Sequence, residues 1–420
     1  MNFNIAINGG TPINRDLLPA WPNFDSSVKE DICNIIDSGK VNYWTGDLGK
    51  KFEEDLQTYL GEGYVVSTTN GTSALHTAIS SLGIGSGDEV ICPSYTFIAT
   101  AFAVMQAGAL PVFADVDNTH TLDPSSILKK IGHKTKAIIV VHTFGIPADM
   151  DVIMKIAKDH NLLVIEDCAQ ALGAEYNGKK LGTIGHAGCF SFCQSKHFTT
   201  GGEGGAIYVA DEALAWTCRS FRDHGYDVEK RIELLKLEEK LSYIHPRIGF
   251  NYRMTEIQSA IGIKELQRFD SWNLPNRIRN GKYISDNLKE HPLVIHAPYG
   301  SENRVNSYWW APFVLDTNRI KCDIKTFVAA INAEGVPAYT IPWPEIYLEE
   351  SFTRRQGFGS RNYPFLDPQH RLIEYGDVFC ERASMLGKST IAFPMHPVYE
   401  IRHLDKFLDA FAKVASYFSI

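Results

Sequence analysis

The sequence predicts an α/β domain built on a mostly parallel sheet of seven strands. Between residues 64 and 210, short apolar runs alternate with helical patterns. The runs are apolar on both faces, which is typical of parallel strands covered by helices on both sides. They are YVVSTT, DEVICPSY, LPVFADVD, TKAIIVVHTFG, NLLVIEDCAQ, GCFSFCQ and GGAIYVADE.

Length and composition indicate a folded globular protein with more than one domain. A chain of 420 residues is too long for one compact core, so we expect two or three domains. A hydrophobic fraction of 44% and a charged fraction of 21% are ordinary for a folded globular protein. The net charge of −8 offers no basic field, which argues against a nucleic-acid partner.

Targeting signals and cysteine usage predict a cytoplasmic protein. The start, MNFNIAINGGTPINRD, lacks the regions of a signal peptide, and no apolar run is long enough for a membrane span. Eight scattered cysteines without a paired framework indicate free thiols in a reducing compartment. Cys189 and Cys193 have C-x3-C spacing, but no second Cys or His pair lies nearby, so we expect no metal site.

A change in the sequence pattern in the second half of the chain predicts a second, smaller domain. We assign residues 1–275 to the large domain and residues 276–420 to a small α+β domain that ends in a helix, LDKFLDAFAKVASYF. The N-terminal segment is a candidate to pack on this small domain. Residues 345–378 show no periodicity and are interpreted as a long loop, a candidate substrate lid.

Ligands of open α/β sheets bind beyond the carboxyl ends of the strands, so residues just after each run are of interest. The first run is followed by Asn-Gly-Thr-Ser, residues 70–73, at the start of a helical pattern. This junction offers an N-cap, free backbone N–H groups and two hydroxyls, which suit a phosphate group. The alternative is a plain helix cap.

Three further strand ends carry polar or aromatic groups. Asp167 ends a buried strand, where a carboxylate needs a cation or a protonated nitrogen; a structural salt bridge or a helix N-cap is the alternative. Tyr95 and Phe97 follow another strand and could lie against a flat heterocycle, or simply belong to the core. Lys196 follows GCFSFCQS beside a glycine-rich run, and the alternative for it is a surface charge.

Taken together, these features match the requirements of pyridoxal 5'-phosphate. The helix N-terminus would take the phosphate, the carboxylate would keep the pyridine nitrogen protonated, and the lysine would form an imine. A Walker-type nucleotide site is not predicted, because no G-x4-G-K-S/T pattern occurs. A dinucleotide site is not favoured either, since GIGSG precedes a strand instead of following one.

The sequence resembles the DegT/StrS-type sugar aminotransferases, a family of fold-type-I, aspartate-aminotransferase-like pyridoxal-phosphate enzymes. The resemblance covers most of the chain and includes the lysine with its glycine run, Lys196 and TTGGEGG. The other motifs that carry it are NGTSALHTAI, GIGSGDEVICPSYTFIATAFAV, GALPVFADVD, TKAIIVVHTFG, VIEDCAQALGAEYNGKKLGTIGHAGCFSF and GFNYRMTEIQSAIG.

The resemblance implies roles around the cofactor ring. Lys196 is implied to form the imine and to move a proton as the catalytic base, which requires a lowered pKa. Asp167 is implied to pair with the pyridinium nitrogen as the second catalytic residue. Gln170 would bind the ring hydroxyl, and Phe97 would stack on the ring.

The resemblance also implies a phosphate site shared between two subunits. Gly71, Thr72 and Ser191 would bind the phosphate, with Ser73 a further candidate. Asn251 is implied to reach the phosphate from a neighbouring subunit, so a homodimer with shared active sites is expected.

The reaction implied is ping-pong transfer from an amino acid, most often glutamate, to a keto sugar that is usually nucleotide-linked. Three alternatives stay open: a glutamine-dependent keto-cyclitol aminotransferase, a pyridoxal-phosphate-dependent sugar dehydratase, and a non-catalytic regulator that binds the cofactor. Related dehydratases carry histidine at the lysine position; here Lys196 occupies it and His197 follows.

Some segments depart from the family pattern. The glycine run after Lys196 is one residue longer than is usual, and residues 226–248 and 345–378 match poorly. Because substrate choice is expected to depend on such segments, the sequence leaves the sugar, its carbon, its nucleotide and the amino donor open.

Overall fold

The computed structural model describes residues 4–236, 243–341, 343 and 345–420. Its strands are β1 (Tyr64–Thr68), β2 (Glu89–Pro93), β3 (Leu110–Ala114), β4 (Thr135–Val141), β5 (Leu163–Asp167), β6 (Glu175–Tyr176), β7 (Lys179–Lys180), β8 (Ala187–Ser191), β9 (Gly205–Val209), β10 (Val294–His296), β11 (Arg304–Val305), β12 (Trp310–Leu315), β13 (Tyr339–Thr340) and β14 (Thr390–Pro394).

The α-helices are α1 (Val28–Ser38), α2 (Leu48–Leu60), α3 (Gly71–Ser81), α4 (Ala99–Gln106), α5 (Pro124–Lys130), α6 (Met150–Asp159), α7 (Glu212–Arg222), α8 (Val228–Lys236), α9 (Glu256–Gln267), α10 (Leu274–Leu288), α11 (Ile324–Ala333), α12 (Glu350–Thr353), α13 (Glu381–Ser389) and α14 (Ile401–Phe418). None of the helices in the described part of the chain combines the length and the apolar character that a membrane crossing requires.

The large sheet has seven strands in the order β1-β9-β8-β5-β4-β2-β3. Neighbours from β8 through β5, β4 and β2 to β3 pair in parallel. Strand β9 is antiparallel to both of its neighbours, β1 and β8. Each of the seven predicted runs covers one of these strands, apart from Ala187 at the start of β8, so the predicted fold class is confirmed.

Burial on both faces explains why these runs form strands. In β4, Ala137 and Ile139 face one apolar core, whereas Ile138 and Val140 face a second core across the sheet. Helices cover both faces, as the continuous apolar pattern predicts. The carboxyl ends of the parallel strands are therefore left as the accessible polar edge of the sheet.

A second sheet, β10-β12-β14-β13, is antiparallel and lies in the C-terminal part of the chain. Its core, built with α11 and α14, also includes Ile5 from the N-terminal segment. The buried Glu334 carboxylate accepts hydrogen bonds from the backbone N–H groups of Ala6 (2.8 Å) and Ile13 (3.0 Å). The predicted boundary between residues 275 and 276 falls in the first turn of α10 and stays a prediction.

Residues 345–378 wrap around the edge strand β3. Phe113 of β3 packs against Tyr347, Phe352 and Tyr375, and the Tyr375 hydroxyl donates to the Pro111 carbonyl (2.9 Å). An edge strand exposes unpaired backbone groups, and covering it with a chain segment removes that liability. The segment therefore covers part of this edge of the large sheet.

The predicted lid role for this segment is wrong for residues 367–371. Ser86 donates to Asp367 (2.6 Å), and Arg371 makes two hydrogen bonds to Glu89 (2.5 and 3.1 Å). Ser86 and Glu89 lie at the amino end of β2, so these residues pack on the edge of the sheet opposite to the strand ends singled out above. Sequence periodicity does not indicate which edge a loop covers.

Candidate active site

A cavity of about 430 Å³ lies at the carboxyl edge of the large sheet. Seven of the nine predicted site residues line it: Gly71, Thr72, Phe97, Asp167, Gln170, Ser191 and Lys196. Thr100, Glu203, Trp309 and Trp343 are among the other lining residues. Strand ends that are far apart in sequence therefore meet around one cavity.

The junction between β1 and α3 forms a helix N-terminus with exposed donors. Asn70 is the N-cap, and its side chain accepts from the N–H of Ser73 (2.8 Å) while the Ser73 hydroxyl accepts from the N–H of Asn70 (3.1 Å). The N–H groups of Gly71 and Thr72 have no acceptor among the described residues. A helix N-terminus with free N–H groups favours an anion.

Gly71 allows Ser191, the last residue of β8, to approach this helix closely. A Cβ atom on Gly71 would lie 2.8 Å from the Cβ of Ser191, closer than carbon atoms pack. The Ser191 hydroxyl accepts a long hydrogen bond from the N–H of Cys193 (3.4 Å) and can donate its proton elsewhere. Glycine at position 71 thus places one hydroxyl beside two free N–H groups.

Asp167 ends β5 with its carboxylate buried. One oxygen accepts from the Thr100 hydroxyl (2.8 Å), and the other accepts from the N–H of Ala169 (3.1 Å). Burial raises the pKa of Asp167 above its ordinary value, although these two hydrogen bonds and the nearby Lys196 oppose the shift. A hydroxyl, Thr96, lies 3.1 Å from Thr100 and extends this chain of contacts.

The buried side chain of Gln170 has one amide end fixed. Its Oε1 accepts from the N–H of Phe144 (2.7 Å), a residue in the left-handed region with φ of 61°. Its Nε2 has no hydrogen-bond partner among the described residues, although Gln170 lines the cavity. The side chain can therefore donate to a ligand without giving up its own anchor.

Lys196 follows β8 and is half-buried at the cavity wall. Its ammonium lies over the ring of Trp309, with 4.1 Å between Nζ and the ring centroid. Burial lowers the pKa of the Lys196 amine, and the neighbouring Cys193 and Asp167 oppose the shift. An amine with a lowered pKa is a better nucleophile and proton acceptor near neutral pH.

The glycine run after Lys196 forms the turn between β8 and β9. Gly201 and Gly202 have φ values of +91° and +118°, and the N–H of Gly202 donates to the Thr199 hydroxyl (2.9 Å). The N–H of Gln194 donates to the Gly202 carbonyl (3.0 Å), which extends the hairpin. The run therefore serves chain reversal, since left-handed backbone favours glycine.

Phe97 stands at the mouth of the cavity with 53% of its surface exposed. Its ring meets Trp343 edge to face, with 5.8 Å between the ring centroids. Tyr95, in contrast, is fully buried and packs on His120 and Phe144, which is the core alternative. Of the two candidates, only Phe97 presents a ring to the cavity.

Ser73 and Asn251 do not line the cavity. The Ser73 hydroxyl is engaged within the capping box and also contacts Thr69 Oγ1 (3.0 Å). Asn251 is exposed, while its neighbour Tyr252 accepts from the N–H of Thr69 (2.9 Å), next to the helix N-terminus. The predicted phosphate roles of these two residues stay predictions.

Sequence patterns missed several lining residues, among them Thr100, Trp309 and Trp343. Thr100 sits inside α4, and the tryptophans come from NSYWWAPF and IPWPE, far along the chain. Only the three-dimensional fold brings them to the strand ends. The tryptophan pair in the second half was the one available signal, because large aromatic side chains are frequent in ligand pockets.

Three residues of metal-ligating types, which the sequence patterns did not single out, come together at β4 and β5: His142 and Glu166 meet at 3.0 Å, with Cys168 nearby. The Nδ1 of His142 accepts from the N–H of Ala148, and the Glu166 carboxylate accepts from the N–H of Gly182, so protein donors already engage both side chains.

Of the poorly matching stretch 226–248, residues 228–236 form α8, and residues 237–242 lie outside the described part.

Comparison with known proteins places the chain among aminotransferases. The model of the DegT/DnrJ/EryC1/StrS aminotransferase family matches residues 22–365. GDP-perosamine synthase of Escherichia coli O157:H7 is 35% identical over 350 residues, 82% of this chain and 91% of that protein.

Two further relatives extend the match. UDP-N-acetyl-3-dehydro-alpha-D-glucosamine 3-aminotransferase of Acidithiobacillus ferrooxidans is 34% identical over 91% of this chain and 92% of that protein. The solved structure of an aminotransferase from Psychrobacter cryohalolentis superposes with a TM-score of 0.84 at 33% identity, covering 96% of this chain and 100% of that one.

Proposed function

The chain belongs to the DegT/DnrJ/EryC1/StrS aminotransferase family and is an aminotransferase, and we propose that its cavity binds pyridoxal 5'-phosphate to aminate a nucleotide-linked keto sugar. The proposal rests above all on Asp167 and Lys196. Both are held at one cavity, and neither forms a salt bridge with another described residue.

The lining residues fit the cofactor group by group. The free N–H groups of Gly71 and Thr72, with the Ser191 hydroxyl, suit a phosphate. The Asp167 carboxylate, whose pKa is raised by burial, suits a protonated pyridine nitrogen. The free Nε2 of Gln170 suits a ring hydroxyl.

When bound, pyridoxal 5'-phosphate supplies a reactive aldehyde and an electron-withdrawing ring, the chemistry that amino transfer needs. In this proposal Lys196 anchors the cofactor covalently and carries the proton, which its lowered pKa favours. Asp167 holds the proton on the ring nitrogen. Phe97, whose ring meets Trp343 edge to face, is proposed to stack on the cofactor ring.

The named relatives support a nucleotide-linked sugar as the amino acceptor. One is named for a GDP sugar and another for a UDP sugar, so the two differ in nucleotide. We propose glutamate as the donor, with glutamine and a keto-cyclitol acceptor as the alternative pair.

The unpaired state of all eight cysteines supports a reducing compartment such as the cytoplasm.

We further propose a homodimer with shared active sites. Both the cofactor and a nucleotide-linked sugar carry phosphate groups. Lys196 is the one cationic side chain among the described residues that line the cavity, so further phosphate-binding groups are expected from a second subunit. The exposed Asn251, next to the helix N-terminus but outside its own cavity, is the group proposed to reach the partner's phosphate.

The cofactor claim is tested by visible absorbance. Purified protein supplied with pyridoxal 5'-phosphate should show the visible band of a lysine-bound cofactor, and Lys196→Ala should abolish it, whereas the exposed Lys129→Ala should retain it. Glutamate should then remove the band, and a keto sugar should restore it. A wild-type protein that stays colourless would refute the cofactor claim.

A substrate screen and subunit mixing test the finer claims. GDP- and UDP-linked keto sugars and keto-cyclitols should be compared as acceptors for the aminated enzyme; turnover of keto-cyclitols alone would favour the alternative. Mixing Lys196→Ala with Asn251→Ala subunits should restore part of the activity in hybrid dimers. Absence of complementation would count against shared sites.

A further inference from the structure

The contact between Lys196 and Trp309 is not explained by packing alone. The Lys196 Nζ lies 4.1 Å from the centre of the indole, and Trp309 is only 3% exposed. The face of an indole carries partial negative charge and attracts an ammonium within about 6 Å, more strongly where water is excluded. The charged end of Lys196 therefore has a specific binding surface.

Trp309 is fixed in position by three contacts. Its Nε1 donates to the Ser195 carbonyl (2.6 Å), and its backbone N–H donates to the Phe144 carbonyl (3.0 Å). Its other neighbour, Trp310, is stacked on it with 4.5 Å between centroids and 11° between planes. The indole is thus hydrogen-bonded to the backbone of Ser195, the residue before Lys196, while its face contacts the Lys196 side chain.

The backbone of Lys196 is held from the other side. Its carbonyl accepts from Trp21 Nε1 (3.2 Å) and from Arg277 Nη2 (3.4 Å), two side chains that come from the N-terminal segment and α10. With the backbone fixed, only the side-chain torsions of Lys196 can move the amine. The amine can therefore move between the cavity and the indole face without a change in the main chain.

Building on the proposed function, we propose that Trp309 is a positioning residue that holds the Lys196 ammonium on its indole face whenever Lys196 is not bonded to the cofactor. The proton-carrying lysine would then wait at one defined place. In the proposed ping-pong cycle Lys196 would be released from the cofactor once, in the first half-reaction, and bonded again at the end of the second, so the resting place would be available throughout the time between.

The same contact adjusts the basicity of Lys196. Burial lowers the pKa of the amine, and a base with a very low pKa takes up protons poorly. The indole stabilises the protonated form and opposes the effect of burial. The titratable groups facing the amine are Asp167, Cys193 and His197, and Glu203 lines the same cavity. Burial lowers the pKa of His197, so that ring adds no charge near neutral pH.

The test measures the pKa of Lys196 in the cofactor-free protein. Competitive labelling with acetic anhydride as a function of pH, followed by mass spectrometry of the peptide that carries Lys196, reports this pKa without any need for activity. In Trp309→Leu the pKa should fall by about one pH unit, a tenfold loss of preference for the ammonium. An unchanged pKa would overturn the proposal.

Two further variants separate the indole face from other effects. Trp310→Leu removes the next ring of the stack, which does not contact the amine, and should leave the pKa of Lys196 unchanged. Trp309→Phe keeps a ring but loses the bond to Ser195, and should lower the pKa by clearly less than one unit. A shift in Trp309→Phe as large as that in Trp309→Leu would assign the effect to the Ser195 bond and overturn the proposal.

Folding and function are controlled separately. Circular dichroism should report a folded chain for each variant, and if Trp309→Leu does not fold, absence of any pKa decrease in Trp309→Phe refutes the proposal. Failure of the wild-type protein to bind pyridoxal 5'-phosphate would refute the proposed function instead, because the labelling experiment contains no cofactor. In active protein, Trp309→Leu should shift the pH profile of kcat while KM changes little.

Discussion

The buried carboxylates at the two edges of the large sheet have different kinds of hydrogen-bond partner. At the amino edge, Glu89 is 1% exposed and receives two hydrogen bonds from the guanidinium of Arg371. At the carboxyl edge, Asp167 is 5% exposed and receives hydrogen bonds from Thr100 and Ala169 but no cation from the described residues. One edge is closed by the chain itself, and the other is left for a ligand.

The two acids differ in how the cost of their burial is compensated. Desolvation of a carboxylate is costly unless a positive group compensates it. Glu89 obtains this group from the chain, whereas Asp167 obtains two neutral donors and a raised pKa. Because Asp167 also lines the cavity, its carboxylate is the group that we propose to bind the cationic part of a ligand.

Among the variants that test this comparison, Asp167→Asn should have the largest effect on the rate of amino transfer. The amide cannot keep a ring nitrogen protonated, so the rate of amino transfer should fall on the order of a hundredfold or more. The cofactor-free protein should at the same time become more stable at neutral pH, because an uncompensated buried charge is removed. Stopped-flow kinetics and thermal unfolding measure the two effects; a near-normal rate would contradict the assigned role.

Removal of the Thr100 hydroxyl should have an intermediate effect. Its hydrogen bond lowers the pKa of Asp167, so Thr100→Val should raise this pKa further and move the acid limb of the pH–rate profile to higher pH. The rate near neutral pH should fall about tenfold, the typical value of a hydrogen bond to a charged group. Thr100→Ser, which retains the hydroxyl, should resemble the wild type.

Thr100→Val should also change how the stability of the cofactor-free protein depends on pH. A carboxylate whose pKa is raised by folding binds its proton more tightly in the folded state, so stability falls as pH rises above the ordinary pKa of aspartate. This fall should be steeper in cofactor-free Thr100→Val than in the wild type. Urea unfolding between acid and neutral pH measures it, and parallel curves would show that Thr100 does not influence Asp167.

Arg371→Leu tests the closed edge and should have the smallest effect on catalysis. Loss of the guanidinium leaves the Glu89 carboxylate buried without a cation, which should lower the free energy of unfolding by about 1–2 kcal/mol, since Arg371 itself is half-exposed. The matched control is Arg354→Leu, in an exposed pair with Glu350, which should change little. A marked loss of kcat in folded Arg371→Leu would contradict the separation of the two edges.

Much of the fold could be predicted because the decisive signals are local. The runs around Ile139 and Ile165 are apolar on both faces, and each forms a central strand. The helix start at Asn70 was equally readable, since capping depends on residues three positions apart. The candidates after these strands could then be placed on one edge by topology alone.

Long-range contacts account for what could not be predicted. Thr100 reaches Asp167 across 67 positions, and Trp309 reaches Ser195 across 114, so no window of sequence contains either pair. The segment after residue 345 was misjudged for the same reason, because its partners at the amino edge lie more than 250 positions away. Local patterns specify elements, whereas these contacts depend on how the elements pack.

The wrapping of residues 345–378 around β3 has a practical consequence for dissecting the molecule. A fragment that ends at the predicted boundary, residue 275, would keep all seven strands of the sheet but would lose Tyr347, Tyr375 and Arg371. Its β3 edge would then be open to pairing with other chains, and Phe113 would face water. The large domain should therefore precipitate when expressed alone, and recover solubility only when the wrapping segment is supplied in the same chain.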